Sequence, residues 1–329
     1  MKRRPKIVAI GGGTGTYQVL VGLKNYPLDF DLTAVVSMAD SGGSSGKLRR
    51  EFKILPPGDI RRALLALSNL PISKKTLAKL FEFRFDPSAC SGLAGHSMGN
   101  LLLAALTQIY GREDLAISEC EKILDVSGHV LPVTLNKTNL HGVLTDGTVV
   151  HGETNIDVRR IKPSVPIKEV YLKPAAEIYP KAREAICSAD LVILGPGDLY
   201  TSIVPNLLVD GVNEAIKSSK AKVVYICNLM TKHGETDGYS AQDFVNEIKK
   251  YLGEAKEKLT HVLVNEKTSL PKAVKGWYDE YKSQPVEDGM DARANHIKVI
   301  HDKFVGPGKL VRHDPDKIAS VVAKLLVKD

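Results

Sequence analysis

Short runs of β-branched residues alternate with longer segments of helical periodicity along this chain. This alternation constrains the fold more than any other feature, because it is typical of parallel strands joined by helices. It predicts an α/β fold with a doubly wound, mainly parallel sheet and helices on both faces. The predicted strands are Lys6–Ile10, Leu32–Ser37, Val130–Leu135, Leu191–Leu194, Lys222–Cys227, His261–Val264 and His296–Ile300.

Helical patterns lie between and after these strands. In the segment that begins at Asp59, apolar residues recur at positions 60, 63, 64 and 67, which places them on one face of a helix. Arg61 and Arg62 fall outside this stripe, so we expect the helix to have one core face and one basic face. The clearest helical patterns are Asp59–Asn69, Ser97–Tyr110, Pro205–Ser218, Ala241–Leu252 and Asp314–Val327.

One segment interrupts the alternation. Two β-branched runs flank Asp146-Gly147, a pair that suits a tight hairpin turn. This pattern predicts a small β-hairpin insertion at about residues 139–154. No linker rich in Pro, Gly or Ser divides the chain, and it contains no internal repeat, so we expect a single domain over residues 1–329.

The composition is that of an ordinary globular protein, with 43% apolar residues in a chain of 329. The four cysteines, Cys90, Cys120, Cys187 and Cys227, lie far apart, which indicates isolated thiols in a reducing compartment and argues against a zinc site. No apolar stretch approaches the roughly 18 residues of a membrane span. The run Ile7–Ile10 is too short for a signal sequence, so we expect a soluble, cytoplasmic protein.

The charge is modestly basic, with 45 Lys and Arg against 38 Asp and Glu, a net +7. The excess is spread along the chain and aromatic residues make up only 6%, so no platform for nucleic acid stands out. A basic chain of this kind more often holds the phosphates of a small ligand.

Glycines follow the first predicted strand directly, in the order Gly11, Gly12, Gly13, Thr14 and Gly15. They allow a sharp turn and a close approach of the backbone to a ligand, and the next helix would turn its N–H groups toward an anion. Asp40 follows the second strand, where a carboxylate can accept from ribose hydroxyls, so NAD or a flavin nucleotide is one interpretation. Thr16 replaces the third glycine of the dinucleotide motif. The alternative is a tight connection without a ligand.

A second cluster of small polar residues follows the second strand, and consists of Asp40, Ser41, Gly42, Gly43 and Ser44. Cations follow within a few positions, which suits a phosphate cradle. The segment resembles a P-loop only superficially, because Leu48 replaces the Ser or Thr that would hold magnesium, and we discount ATP hydrolysis. The alternative is a solvated loop before a helix.

Two further turns supply ligand candidates. Asp59 stands where a helix N-cap belongs, so capping is its main interpretation and Arg62 is the better ligand candidate. The segment Gly95–Gly99 matches the G-x-S-x-G pattern of serine hydrolases, but a polar, turn-forming stretch precedes it instead of a strand. We therefore interpret it as a turn that opens a helix and offers His96 and Asn100 to a ligand.

Two later strands also end in glycine and hydroxyl residues. Such loops at several strand ends are hard to explain by turn formation alone, although for any single carboxylate in them a cap or a surface charge is as good an interpretation. The remaining histidines show no metal-ligand spacing, so any magnesium would bind through phosphates and one carboxylate such as Asp40. The candidate residues are Gly195, Gly197, Asp198, Tyr200, Thr201, Ser202, Asn228, Thr231 and Glu235.

In combination, these blocks resemble the gluconeogenesis factor (YvcK-type) family, within a superfamily similar to 2-phospho-L-lactate transferase. The resemblance implies a Rossmann-like cytoplasmic protein that binds UDP-sugars, notably UDP-N-acetylglucosamine. It also implies a role in carbon balance and cell shape on gluconeogenic substrates, without an established catalytic activity. We further expect a homo-oligomer and protein partners in cell-wall synthesis. The blocks that carry the resemblance are GGGTG, SMADSGGSSGKLRREFKILPPGDIRRALLALS, GLAGHSMGNLLLAAL, LHGVLTDGTVVHGET, LGPGDLYTSIVPNLLV and CNLMTKHGETDGYS.

The resemblance also suggests roles for single residues. It places the nucleotide among the loops named above and makes Arg312 a candidate contact for the diphosphate, with Tyr278 as a second contact. The transferase relatives typically carry paired acidic residues after the second strand, whereas this chain has Asp40-Ser41 there. The missing second carboxylate weakens, without excluding, an alternative in which Asp40 holds Mg²⁺ and Arg62 stabilises charge in a group transfer. A third alternative is an NAD-binding oxidoreductase.

Overall fold

The computed structural model describes residues 3–70, 75–88, 92–266, 272–291, 296–308 and 310–326. In this part of the chain seven parallel strands form the main sheet, and all seven predicted strands belong to it. The α/β fold class is thereby confirmed. The strands are β1 Lys6–Gly11, β2 Asp31–Val36, β3 His129–Pro132, β7 Leu191–Leu194, β8 Lys222–Ile226, β9 Leu259–Asn265 and β10 Lys298–Asp302.

The strand order is β10-β9-β8-β7-β1-β2-β3. The chain therefore builds the sheet outward from β1 in one direction, and then from β7 in the other. The connections that leave β1 and β7 at their carboxyl ends diverge to opposite sides, which opens a crevice between them. The glycine loops that follow β1 and β7 meet at this crevice.

Helices cover both faces of the sheet. Successive residues of β1, β7 and β8 are buried, as in parallel strands that are packed on both sides. The helices are α1 Gly13–Asn25, α2 Gly43–Phe52, α3 Pro57–Leu67, α4 Lys75–Glu82, α5 Met98–Tyr110, α6 Glu113–Ile123, α7 Glu153–Asp157, α8 Pro180–Ser188, α9 Val204–Leu207, α10 Val212–Ser218, α11 Ala241–Leu252, α12 Lys272–Glu280 and α13 Pro315–Leu326.

Two predicted helices begin close to the expected residues because side chains cap their N-termini. α11 spans the predicted residues because Ser240 and Asp243 form a reciprocal capping box at its start. α5 begins one residue after Ser97, whose hydroxyl accepts from the Asn100 backbone N–H as an N-cap. The end of the last predicted helix, Val327, lies outside the described residues, as does Cys90.

Two expectations about the predicted helices were wrong. The segment Pro205–Ser218 is not one helix, because a π-helical turn leads into α9 and the chain then turns at Gly211, whose φ is +93°, before α10. The helix predicted from Asp59 does not have a uniformly basic outer face, because Arg61 is buried while Arg62 stays partly exposed. The spacing of the apolar residues shows which side of the helix faces the core. It does not show that a neighbouring helix also buries the side chains next to that side.

The insertion is larger than the predicted hairpin. It is a three-stranded antiparallel sheet in the order β5-β4-β6, with β4 Asn139–Leu144, β5 Val149–His151 and β6 Ile167–Lys173. The predicted turn joins β4 to β5, and Gly147 adopts a φ of +84° there. The strand β6 was not predicted, since its sequence IKEVYLK has no long β-branched run.

The remaining expectations concern cysteines and membrane helices. Cys120 and Cys227 are buried free thiols and Cys187 is an exposed one. None of the helices in the described residues is both long and apolar enough to cross a bilayer.

Candidate functional site

A polar cleft of about 700 Å³ lies at the carboxyl ends of β1, β2, β7 and β8. This is where a doubly wound sheet binds its ligands. The structure brings most of the predicted site residues together here, although they come from eight separate stretches of the chain. The predicted residues that line the cleft are Gly12, Gly13, Thr14, Gly15, Asp40, Gly42, Gly43, Ser44, Arg62, Asn100, Gly197, Asp198, Thr201, Ser202, Asn228, Tyr278 and Arg312.

Other predicted residues lie behind this lining and support it. Gly11 is the last residue of β1, and Gly195 has a φ of +73° in the turn that follows β7. Ser41 lies in the loop after β2, where its backbone N–H donates to Glu153 at 3.1 Å. His96 is buried, and its Nδ1 lies 3.1 Å from the hydroxyl of Ser44.

Three predicted residues after β7 and β8 also lie outside the lining. The side chain of Tyr200 is fully buried, and its hydroxyl lies 2.9 Å from that of Tyr239. The hydroxyl of Thr231 accepts from the backbone N–H of Gln284 at 2.9 Å. Glu235 is buried against Lys232. Tyr200, Thr231 and Glu235 were predicted as site residues because they lie in a loop motif. The sequence does not show which residues of such a motif face the cleft and which face the core, whereas the structure does.

The glycine loop and the loop after β7 approach each other closely. A Cβ on Gly15 would lie 2.2 Å from the carbonyl oxygen of Pro196, so no larger residue fits there. The amide of Asn228 donates to the carbonyl of Gly197 at 2.9 Å and holds this second loop in place. Close packing of backbone against backbone gives the cleft a rigid floor at this point.

Asp59 is not the cap that its position in the sequence indicated. Pro56 is the N-cap of α3 and Pro57 its first residue, which places Asp59 inside the first turn. Its carboxylate accepts from the backbone N–H of Gly13 at 2.9 Å. Burial, with a further contribution from Asp40, raises the pKa of Asp59 to about 6.

The second carboxylate that was missing beside Asp40 is supplied by other elements. Asp59 comes from α3, and Glu153 comes from the start of α7 in the insertion. Burial, followed by the charge of Asp40, raises the pKa of Glu153 to about 7. Carboxylate oxygens are the ligands that Mg²⁺ prefers. These side chains therefore offer oxygen ligands to a divalent cation that would share its coordination with the phosphates of a ligand.

Four arginines face the same cleft: Arg61, Arg62, Arg84 and Arg312. The Nε of Arg61 donates to Asn100 at 3.1 Å, and burial lowers the pKa of this guanidinium to about 10, which still leaves it charged near neutrality. Arg62 lies 3.3 Å from Asp59. Fixed guanidinium groups of this kind bind phosphates and carboxylates through paired hydrogen bonds.

The N-termini of α1 and α2 face the cleft as well. Gly12 and Gly42 are their N-caps, and as glycines they have no side chain to cap the first N–H groups. Because the Asp59 carboxylate already accepts from the first N–H of α1, the N-terminus of α2 is the more available of the two to an anion, together with the arginines.

Another part of the cleft is less polar. Leu229, Met230 and Val311 contribute side chains here, and the hydroxyl of Tyr278 accepts from the backbone N–H of Val311 at 3.0 Å. His313 donates to the carbonyl of Cys227 at 3.0 Å, and burial lowers its pKa to about 4, so it is neutral. This region offers flat and apolar contacts.

Lys232 lies among three carboxylates beside the cleft. Its ammonium group is 2.8 Å from both Asp198 and Glu235, and it also pairs with Asp157. These carboxylates lie close enough together to suggest a metal site. Burial alone would lower the pKa of Lys232, but the three acidic groups raise it well above the usual value, so Lys232 remains charged. The ammonium group offsets part of the negative charge of the three carboxylates, and the cluster ties α7 of the insertion to the loops after β7 and β8.

Sequence reasoning omitted several residues that line the cleft. The prediction considered mainly the loops that follow strands of the main sheet. It therefore could not select residues from other segments, which are Arg84, Glu153, Thr154 and Asp157. Asp59 could have been found from Pro56-Pro57, because a proline pair before a helix places the N-cap two or three residues earlier.

A family model described as 2-phospho-L-lactate transferase CofD matches residues 7–305. The gluconeogenesis factor of Bacillus subtilis is 42% identical over 329 residues, which cover 99% of each protein. The gluconeogenesis factor of Halalkalibacterium halodurans is 42% identical over 323 residues, 97% of this chain and 96% of that protein.

A crystal structure of a Bacillus halodurans protein superimposes with a TM-score of 0.89 at 42% identity, covering 97% of this chain and 99% of the other. The chain therefore belongs to the CofD family, among its gluconeogenesis factors.

Proposed function

We propose that this protein is a cytoplasmic gluconeogenesis factor that binds a UDP-sugar, UDP-N-acetylglucosamine, and regulates carbon balance and cell shape during growth on gluconeogenic substrates. The observation that supports this most directly is the meeting of the N-termini of α1 and α2 with four arginines in one cleft. Such a surface suits a diphosphate.

The rest of the cleft suits the other parts of such a ligand. Apolar side chains and the ring of Tyr278 offer a surface on which a base can pack. Asp198, Thr201 and Ser202 offer polar groups for sugar hydroxyls. A nucleotide sugar has this same division into a flat base, a charged diphosphate and a polyhydroxyl group.

Regulation would follow if the ligand binds one conformation of the protein better than another. Partner proteins, such as those of cell-wall synthesis, would then respond to the liganded form of a homo-oligomer. This mode of action requires no chemical conversion of the ligand.

The test is a calorimetric titration of the purified protein with UDP-N-acetylglucosamine in the presence of Mg²⁺. UDP-glucose, GDP and NAD serve as comparators, and mass spectrometry records any turnover. We expect saturable binding of the UDP-sugar without a product. Absence of UDP-sugar binding, with binding of NAD or GDP instead, would overturn the proposal in favour of an oxidoreductase or a transferase.

A pair of arginine variants refines this test. Arg312→Ala removes a cation that lines the cleft and should weaken UDP-sugar binding, whereas Arg183→Ala removes an exposed cation of α8 outside the cleft. An unchanged dissociation constant in Arg312→Ala would exclude Arg312 from the site.

A second candidate function is a Mg²⁺-dependent group transfer from a nucleotide diphosphate donor. The observation that favours it is the set of three carboxylates, Asp40, Asp59 and Glu153, beside Arg62. A divalent cation held there would neutralise the diphosphate, and Arg62 would stabilise charge on it. Product formation that depends on Mg²⁺ would distinguish this function from ligand binding alone.

A further inference from the structure

Two histidines face each other on the insertion sheet, away from the proposed nucleotide site. His141 on β4 and His151 on β5 are directly opposed in the antiparallel register. Their Nδ1 atoms are 2.7 Å apart, and the rings meet edge to face with centroids 4.9 Å apart. Neither residue lines the cleft.

The contact requires the two ring nitrogens to play different roles. Two Nδ1 atoms at this distance require one ring to donate its proton while the other offers a lone pair, because two protonated nitrogens would repel. One of the two Nδ1 atoms therefore already offers the unprotonated nitrogen through which an imidazole binds a metal.

The surroundings orient these rings. The ring of Tyr171 stacks on His141 with an interplanar angle of 15° and a centroid distance of 5.3 Å. His151 is exposed and its backbone carbonyl accepts from the side chain of Asn155 at 2.8 Å. One ring is thus held against the sheet, while the other is open to water and free to adjust.

We propose that His141 and His151 form a binding site for a transition-metal dication, of which Zn²⁺, Ni²⁺ and Cu²⁺ are the candidates. Both Nδ1 atoms coordinate the metal, the proton between them moves to the outer Nε2, and water fills the remaining positions. Tetrahedral Zn²⁺ with Zn–N bonds of about 2.0–2.1 Å places two nitrogens about 3.3 Å apart, so the rings need to separate by only about 0.6 Å.

The position of the pair gives the site a structural role. β5 continues through Gly152 into Glu153 and Thr154, which line the cleft. A metal that joins β4 to β5 fixes the strand from which these residues follow. The proposal itself concerns metal binding alone and does not depend on the identity of the cleft's ligand.

The experiment uses the full chain without an affinity tag, stripped with EDTA and titrated with Zn²⁺ and then Ni²⁺ at pH 7.5. With Mg²⁺ in excess to occupy the carboxylates of the cleft, we expect one further site that is weakened about 10-fold or more in His141→Ala and in His151→Ala, because even the loss of a group that supports a metal ligand costs about 10–100-fold. His129→Ala is the matched control, since His129 is also an exposed strand histidine and should leave binding unchanged.

Two readouts identify the coordinating atoms. Side-chain ¹⁵N spectra should show the Nδ1 resonances of both histidines shifting on addition of Zn²⁺, and a Ni²⁺-soaked crystal should show an anomalous peak between the two rings. Equal binding by all variants, or an absence of binding by the wild type, would overturn the proposal. Because His151 is exposed, His151→Ala keeps the test valid even if His141→Ala disturbs the sheet.

Discussion

The carboxylate of Asp59 accepts a hydrogen bond from the backbone N–H of Gly13 at 2.9 Å and so joins the first turn of α3 to the first turn of α1. The same carboxylate is buried, and its pKa rises from 3.8 to about 6. Folding therefore takes up a proton here, and the folded state loses stability as the pH rises from about 4 to 6.

Asp59→Asn should make this cost visible. The Asn side chain keeps an oxygen that can accept from Gly13, but it carries no charge to bury. In EDTA-containing buffer, we expect the variant to gain about 2–3 kcal/mol of unfolding free energy relative to wild type between pH 4 and pH 7. Urea unfolding at both pH values measures this gain. A difference between the two proteins that does not change with pH would contradict the assigned cause.

Gly15 is required for close approach and not for an unusual backbone angle. It lies within α1 without a positive φ, yet a Cβ would lie 2.2 Å from the carbonyl oxygen of Pro196. Gly15→Ala should therefore separate the glycine loop from the loop after β7. We expect a loss of about 1–3 kcal/mol of stability, together with weaker binding in the cleft.

Gly276→Ala is the matched control for this prediction. Gly276 also lies in a helix, but among the described residues no atom outside its own helix backbone lies within 4 Å of the position of its Cβ. Alanine should be neutral there or stabilise the helix by up to about 1 kcal/mol. Thermal unfolding of both variants checks the pair, and similar melting temperatures would show that the Pro196 contact does not constrain Gly15.

The sequence predicted the main sheet because each of its strands is a β-branched run that could be recognised without knowing its neighbours. The same rule missed β6, whose sequence IKEVYLK becomes a strand by pairing with β4. It also joined α9 and α10 into one helix, since nothing in their apolar pattern marks the turn at Gly211. The local sequence pattern was sufficient to predict the buried strands. It was insufficient for elements whose secondary structure depends on tertiary contacts.

The cleft was predictable to the same extent. Glycine and hydroxyl loops after strands were expected to meet, because the carboxyl ends of parallel strands share one edge. Ser41 and Glu153 are 112 residues apart in the sequence, and their contact was not predictable. The sequence does not show where the insertion packs relative to the main sheet. Arg61 and Arg62 are neighbours with identical side chains, and only the packing of α5 decides which of them is buried.

Lys232 should be indispensable for the local fold. Lys232→Met would leave the carboxylates of Asp157, Asp198 and Glu235 together without their cation. We expect a loss of about 3 kcal/mol, which is typical when one partner of a buried ion pair is removed. Chemical denaturation measures it.

A double variant separates charge from packing in this cluster. Adding Asp198→Asn to Lys232→Met removes a carboxylate that lay 2.8 Å from the lost ammonium group and should restore about 1 kcal/mol or more. If the second substitution costs further stability instead, the loss in Lys232→Met reflects missing contacts and not unbalanced charge.

Asp40 and the two carboxylates beside it predict that a diphosphate binds together with a cation. At pH 8, where Asp59 and Glu153 are largely ionised, their negative charges and that of Asp40 oppose those of the ligand when Mg²⁺ is absent, and they offset part of the attraction from the arginines. Mg²⁺ should therefore strengthen the binding of UDP-N-acetylglucosamine by about 10-fold, or about 1.4 kcal/mol. Calorimetric titrations in Mg²⁺ and in EDTA measure this ratio.

Glu153→Gln identifies the origin of that ratio. Removing one charge should improve binding in EDTA, because repulsion falls, and weaken it in Mg²⁺, because the cation loses a ligand. The 10-fold effect should thus shrink toward equality, while Glu177→Gln, an exposed substitution outside the cleft, should retain it in full. An unchanged Mg²⁺ effect in Glu153→Gln would place the cation on the ligand alone, because the carboxylates would then contribute nothing to holding it.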